Sequence, residues 1–384
     1  MSNSHRSAGQ SNKSYPFELL REVYEQPEAI RNTLNLYADS AAPDIRLKLL
    51  EIENEILRSL TSMTVVASGA SRHAGMCGKL MIEKLAGVAV NVEHASEFVY
   101  SPRASAGNTL VLAITQSGET ADTLAALRLA REQQFPTLCI SNVIDSTITR
   151  EADTAMYTNA GVERAVPATK TFTSQLAVLY MFALSLAAAR QTITSEEITA
   201  RTLAIQRIPA CLARVLHSFD EQAARIGEHL EDSRPVILAG RNIHYPIALE
   251  AALKLKEISY IHAEGYPTGE LRHGITALID QKQPVILFAT RDQRDPESML
   301  RFEKSLSLIQ ELATQSSSLI LVTSDDDDET TRLSNLCFTV PAVDDLLAPL
   351  LEIVPLQLLA YHIAVRKGFD VDHPRNLVKS VTRE

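Results

Sequence analysis

Short runs of β-branched and aliphatic residues alternate along this chain with longer stretches whose apolar positions recur every three or four residues. Thr64-Val-Val-Ala-Ser68 reads as a strand, Gly69-Ala-Ser71 as a tight turn, and helical spacing resumes through Met76, Leu80 and Leu85. The unit recurs as strand Thr109–Thr115, turn Gln116-Ser-Gly-Glu-Thr120, and a helix through Leu124, Leu127 and Leu129. Two further short runs follow, Thr137–Ser141 and Thr154–Thr158, and then an Ala/Leu-rich helix from Thr173 to about Ala188. The second half repeats the plan with Pro235–Ala239, Pro284–Thr290, Ser318–Thr323 and Cys337–Val340. Strands alternating with helices predict an α/β fold, with two tandem domains that are each a mainly parallel sheet covered by helices on both faces.

The expected organisation follows. Residues 1–14, rich in Ser and Asn, are disordered, and 15–50 form an N-terminal helical segment, with Phe17, Leu20, Val23 and Tyr24 on one face and a second helix starting at Pro27. The first α/β domain occupies 51–190 and a helical connector, N-capped by Thr194 ahead of Glu196 and Glu197, spans 191–232. The second domain covers 233–370, and a polar tail takes 371–384, either loose or placed for a purpose.

Composition narrows the function classes. A net charge of −10 with no Lys/Arg cluster speaks against nucleic acid, so an anionic ligand must be drawn in by local groups. Cys77, Cys139, Cys211 and Cys337 are dispersed without metal spacing and read as idle thiols in a reducing cytoplasm. The acidic run Asp325–Glu329 reads as a solvated turn. The start lacks a signal core and no apolar run reaches membrane-spanning length, so the expectation is a cytoplasmic protein without membrane contact.

Candidate chemistry concentrates in three places. At the carboxyl end of a parallel strand, Thr115-Gln116-Ser117-Gly118-Glu119-Thr120 offers hydroxyls and backbone N–H groups to a monophosphate. It reads equally well as an ordinary helix N-cap, although Ser71 at the matching turn of the preceding strand adds weight to the cradle. The segment Glu250–Gly274 sets Lys254, Glu257 and His273 close together, an outfit for moving protons on a small anion. From spacing alone, Lys254 and Glu257 are a helical surface pair. In the second domain Arg291-Asp-Gln-Arg-Asp295 follows the matching strand without a hydroxyl cradle, so one site per chain is expected.

Gly69-Ala-Ser71, Thr115–Asp122, Val166-Pro-Ala-Thr-Lys170, Lys254-Leu-Lys-Glu257, Gly269–Gly274 and Pro374–Thr382 together resemble, in order and spacing, the isomerase portion of glucosamine-6-phosphate synthase, a pair of SIS (sugar isomerase) domains. The resemblance runs from about Tyr24 to the end. It implies that Ser71, Thr115, Gln116, Ser117 and Thr120 contact the substrate, chiefly its phosphate, and that Val166 and Val378 line the sugar site. Thr115 stands where serine is usual, and Pro167 and Ala168 depart from the usual Ala-Ser. By the same resemblance Glu257 passes a proton between C1 and C2 with Lys254 beside it, and Lys379 engages the sugar carbonyl. His273 opens the ring in the partner subunit's site, which implies a homodimer. No metal or organic cofactor is implied.

The synthases carry a glutaminase domain ahead of this portion, whereas this sequence reaches it within a few dozen residues. The leading expectation from the sequence is therefore isomerising deamination of glucosamine 6-phosphate, a phosphorylated amino sugar, to fructose 6-phosphate and ammonium. The alternatives are a synthase subunit fed with ammonia, another phosphosugar isomerase or deglycase, and a sensor that binds without chemistry.

Overall fold

The computed structural model describes residues 15–38, 54–101, 108–230, 234–315 and 318–382. The disorder expected for 1–14 and the end of the helical segment assigned to 15–50 lie outside the described residues. The chain opens with α1 (Glu18–Tyr24) and α2 (Gln26–Tyr37), and Pro27 sits in the first turn of α2, where its fixed φ and missing N–H cost nothing. After α3 (Asn54–Ser59) the first unit runs β1 (Ser62–Ala67), α4 (Gly69–Ala86), β2 (Ala89–His94), α5 (Ala95–Phe98), β3 (Thr109–Ile114), α6 (Ala121–Glu132), β4 (Thr137–Ser141), α7 (Thr147–Glu151), β5 (Thr154–Tyr157) and α8 (Lys170–Arg190). The long α9 (Ser195–Leu230) begins where Thr194 Oγ1 accepts the Glu197 N–H at 3.2 Å, the cap expected from sequence. The second unit is β6 (Val236–Gly240), α10 (Tyr245–Lys254), β7 (Ala263–Pro267), β8 (Val285–Ala289), α11 (Pro296–Ala313), β9 (Leu319–Ser324), α12 (Asp328–Thr331), β10 (Leu336–Val340) and α13 (Pro349–Arg366).

Each unit forms one five-stranded sheet, ordered β2-β1-β3-β4-β5 in the first and β7-β6-β8-β9-β10 in the second, with every pairing parallel. The two orders are the same winding repeated, the tandem α/β architecture read from the sequence. The order reverses between β1 and β3, and between β6 and β8; a doubly wound sheet opens its ligand crevice at that point, outside the carboxyl ends of the strands.

Two edge strands escaped the sequence reading. β2 alternates exposed and covered positions, and β7 is Ala-Glu-Gly-Tyr-Pro; neither carries the continuous apolar run of a central parallel strand. The opposite error concerned the core helices. Residues 170–190 and 345–366 are long and apolar enough to cross a membrane by length and composition, contrary to the expectation that no run would be, yet 94% of each window is buried inside the protein. α8 is apolar all round because α4, α2 and α9 cover it. Gly78 on α4 allows the closest approach, since a Cβ there would lie 2.8 Å from Leu179 of α8. α10 packs on α4, and α13 on α8 and α9, so the two units share one apolar core.

Candidate active site

At the β1–α4 turn Gly69 takes φ +53, and two residues on, in the first turn of α4, Ser71 Oγ accepts from Gln175 Nε2 at 3.0 Å. At the β3–α6 turn Thr115 is buried, with its Oγ1 2.9 Å from Thr120 Oγ1. Thr120 precedes α6 yet makes no side-chain capping bond, so its hydroxyl belongs to the turn and not to the helix end. Ser117 Oγ accepts the Glu119 N–H at 3.1 Å, and the Gln116 carbonyl accepts the Asn142 N–H at 3.1 Å. Gly118 permits this path: its φ is +72, and a Cβ would fall 2.0 Å from Ser146 Oγ. The hydroxyls of Thr115 and Thr120 therefore pair at the switch point, while that of Ser117 turns to Ser380 and the Glu119 N–H.

The acid–base segment departs from the regular helix that the sequence suggested. α10 ends at Lys254 and the chain continues as a π-helical turn, Leu255–Ser259, closed by Tyr260 in the left-handed region at φ +56. Such wider turns re-aim side chains and recur at functional sites. Lys254 Nζ lies 2.6 Å from Glu257 Oε2, 3.3 Å from Glu250 Oε1 and 3.2 Å from the Ala168 carbonyl. Glu250 Oε2 is in turn 2.7 Å from His73 Nδ1. The Lys254 side chain is 1% exposed and Glu257 22%, so the surface-pair reading falls: the ammonium is buried, and so is the Glu257 Oε2 that it pairs with. Burial by itself would lower the Lys254 pKa, but Glu257 and then Glu250 more than compensate and raise it, so the amine stays charged.

The tail is docked. Lys379 Nζ is 2.5 Å from Glu163 Oε2 and 2.7 Å from the Ala165 carbonyl, and Ser380 Oγ is 3.0 Å from Ser117 Oγ. The Val381 carbonyl takes the Ala121 N–H at the start of α6, and the Asp372 carbonyl takes the Val166 N–H at 2.9 Å. Arg375 lies over the Tyr260 ring, 4.2 Å from its centroid, so the π turn also anchors the tail. Val378 is 65% exposed beside these contacts. Glu163, which sequence reasoning missed, is fully buried and accepts from the N–H groups of Thr169 and Thr171 and from the Thr171 hydroxyl. Burial pushes its carboxyl up, but Lys379 and these donors outweigh burial and hold it below the usual carboxylate range. Lys170 braces the same loop through the Val162 carbonyl at 2.7 Å.

The Thr115–Thr120 turn, the loop at Val166, Lys254 with Glu257, and the tail at Lys379–Ser380 are thus linked through Ser117, Glu163 and Ala168, while Ser71 is held separately by Gln175. His273 stands apart. It is exposed at the end of a 3₁₀ turn, Thr268–His273, and among the described residues no hydrogen bond or ion pair joins it to this network. Glu250, His73 and Glu163 had one legible signal in part: Glu250 precedes Lys254 by one helical turn.

Residues 56–185 and 229–367 each match the SIS domain family. The chain belongs to the SIS domain family. The chain is 43% identical over 370 residues to the glutamine–fructose-6-phosphate aminotransferase (isomerizing) of Methanosarcina acetivorans, covering 96% of this chain and 59% of that relative. The enzyme of the same name from Francisella tularensis is 40% identical over 383 residues, with 99% of this chain and 61% of that relative covered. The chain thus spans about three fifths of the length of the curated relatives it matches. Among solved SIS structures, the C-terminal domain of glucosamine-fructose-6-phosphate aminotransferase from Francisella tularensis superposes with a TM-score of 0.86 at 38% identity, covering 95% of this chain and 100% of that one. Glucosamine-6-phosphate deaminase from Thermotoga maritima superposes with a TM-score of 0.69 at 20% identity, over 95% and 99% of the two chains, a likeness of SIS fold alone.

In the second SIS unit the turn after β8 is occupied differently. Asp295 caps α11 and pairs with Lys84, while Asp292 pairs with Arg294. Charged pairs fill the place where the first unit presents hydroxyls. The acidic run after β9 likewise serves its turn: Asp327 caps α12 and Asp325 accepts the Ala342 N–H.

Proposed function

We propose that this chain isomerises a hexose 6-phosphate and aminates it at C2, converting fructose 6-phosphate and ammonia to glucosamine 6-phosphate and water. The observation that supports the reading is a chain of contacts joining three groups: the hydroxyl turn Thr115–Thr120, bound to the tail through Ser117 and Ser380; the tail lysine Lys379 on Glu163; and Glu257 paired with the buried Lys254, which reaches the same loop at the Ala168 carbonyl. A cradle, an acid–base group and an amine are the parts that proton transfer on a phosphosugar requires.

In this reading Ser71, Gln116, Ser117, Thr115 and Thr120 hold the phosphate and fix the reacting carbons, with Val166 and Val378 flanking the sugar. His273 of a second copy assists ring opening, and its exposure leaves it free to do so. Ammonia adds to the C2 carbonyl and water leaves; Glu257 takes a proton from C1 and returns it at C2, so the C2 imine becomes an amine and C1 an aldehyde. Lys379 stabilises the oxygen that carries charge between the two transfers. The phosphosugar is soluble, which suits a cytoplasmic setting.

Deamination, the expectation that led from sequence, is the same path reversed. The synthetic direction takes precedence because the relatives that resemble the chain over nearly its whole length carry the aminotransferase name, whereas the deaminase shares only the fold. The test supplies purified protein with fructose 6-phosphate and ammonium, and separately with glucosamine 6-phosphate alone. Ammonium-dependent glucosamine 6-phosphate is expected. Rapid ammonium release from the amino sugar with no synthesis at saturating ammonium restores the deaminase reading, and no turnover of either sugar sinks both.

A further inference from the structure

A second buried carboxylate stands behind the tail lysine. Glu22, on α1, has a side chain with no exposure, and its Oε1 accepts the N–H groups of Arg164 and Ala165, the two residues that follow Glu163. Its Oε2 is buried with no hydrogen-bond partner. Glu163 is equally buried and holds Lys379 Nζ at 2.5 Å. Asp372 closes the ring: its carboxylate accepts the α1 N–H groups of Glu18 at 3.0 Å and Leu19 at 2.7 Å, while its carbonyl binds Val166. α1, the Glu163–Val166 segment and the tail therefore form one hydrogen-bonded unit around a single ammonium.

The charges about Glu22 are Glu163 of the loop, Lys170 of α8, Lys379 of the tail, and Arg21 on its own helix at 3.9 Å. Arg21 is engaged by Glu18 and Glu25, and Lys170 by Glu25 at 2.7 Å. From α13 the titratable side chain at this end is Tyr361, packed edge-on against Phe17. Lys379 is thus ion-paired with Glu163 at 2.5 Å, while the nearest cation paired with Glu22 is Arg21 at 3.9 Å, itself held by two other carboxylates. A buried anion without its own partner is costly, and a carboxyl oxygen with nothing to accept from is the place for a proton.

We propose that Glu22 is a positioning residue that works in its protonated form: neutral Glu22 leaves Glu163 as the sole anion beside Lys379, and its ionisation clamps the lysine in its cradle, away from the sugar. The proposal rests on the isomerase reading of Lys379. Burial first, and the neighbouring Glu163 next, push the Glu22 carboxyl up to about 7. Below that pH the proton is on and the lysine serves substrate. Above it a second buried anion holds the ammonium, and turnover falls. Because the folded value lies above the ordinary carboxyl value of 4.5, the folded state also loses stability as pH rises between the two.

Two readouts test this. Infrared titration of the unliganded protein follows the protonated-carboxyl absorption; a component with a midpoint near neutrality, absent from Glu22→Gln, is expected. Without ammonia the same C1-to-C2 proton transfer on fructose 6-phosphate would yield glucose 6-phosphate, and the kcat profile of that interconversion should fall about tenfold per pH unit on the alkaline side of that midpoint at constant KM. In Glu22→Gln, whose amide oxygen still accepts from Arg164 and Ala165, that limb should vanish. Glu163→Gln is the second variant: removing the neighbouring charge should move the Glu22 infrared midpoint to lower pH. An unchanged limb in Glu22→Gln, a uniform loss at every pH, or no protonated carboxyl near neutrality overturns the proposal. If no hexose phosphate is turned over, the reaction reading falls and the infrared titration alone decides Glu22.

Discussion

Replacing Lys254 with methionine tests whether the acid–base centre is a buried ion network. Methionine fills most of the lysine stem, so packing against α4 and α13 is largely kept and the charge is what disappears. Glu250, with no side-chain exposure, then loses the cation 3.3 Å away, and Glu257 loses the one 2.6 Å away. Removing one partner of a buried pair costs ~3–5 kcal/mol, because the other charge is left uncompensated. At ~2–4 °C per kcal/mol for a large domain, the melting temperature should drop by roughly 6–20 °C. The pH dependence gives the sign. The Lys254 pKa is raised in the fold, so its stabilisation is complete below the unfolded lysine value of about 10.4 and is lost only as pH rises through the folded value; wild type has no slope from Lys254 near neutrality. In the variant the buried Glu250 carboxylate is left without its cation, so the deficit should be largest where carboxylates are ionised and shrink in acid. Thermal melts at several pH values measure this, and adding Glu250→Gln should restore part of the loss. A deficit below about 1 kcal/mol that is flat with pH would refute the buried network, since that is the behaviour of an exposed pair.

Glu257→Gln should lower kcat by ~10²–10⁴-fold while fructose 6-phosphate still binds, measured by steady-state kinetics and calorimetry; joint loss of both counts against its role as proton carrier. Gly118→Ala forces a Cβ to within 2.0 Å of Ser146 Oγ, and the distorted cradle should lose ~1–3 kcal/mol of phosphosugar affinity with Glu257 chemistry otherwise intact. Mixing inactive Glu257→Gln and His273→Ala chains should recover about a quarter of wild-type sites if His273 serves the partner subunit, and nothing if it serves its own. Lys379→Ala should abolish turnover and also lower the melting temperature, because it leaves the fully buried Glu163 carboxylate without its cation; steady-state kinetics and thermal melts measure the two effects, and adding Glu163→Gln should restore part of the stability.

The β1–α4 and β3–α6 turns were legible because each central strand is a continuous apolar run that ends in glycine and hydroxyl residues. β2 and β7 were not, because an edge strand needs only one covered side and its pattern dissolves into ordinary loop composition. Thr194 announced α9 by a local rule, whereas the π turn at Leu255–Ser259 has no local signature and re-aims Glu257 through the packing of α13. The 21-residue α8 looked like an apolar run of no special length, yet its uniform burial is set by the helices packed around it, chiefly α4 and α2.

By itself the sequence determined the tandem α/β winding, because that depends on periodicity and turn residues, and its resemblance to the synthase isomerase portion named the hydroxyl turn, Glu257, Lys254 and Lys379 as the groups to watch. Only the tertiary structure decided what those groups face. Glu163 meets Lys379 across 216 positions, Glu22 meets Arg164 across 142, and His73 meets Glu250 across 177. Such pairs leave no trace in local spacing: their partners are selected by which buried charge needs neutralising once the helices have packed, and burial is a property of the fold, not of the neighbouring residues.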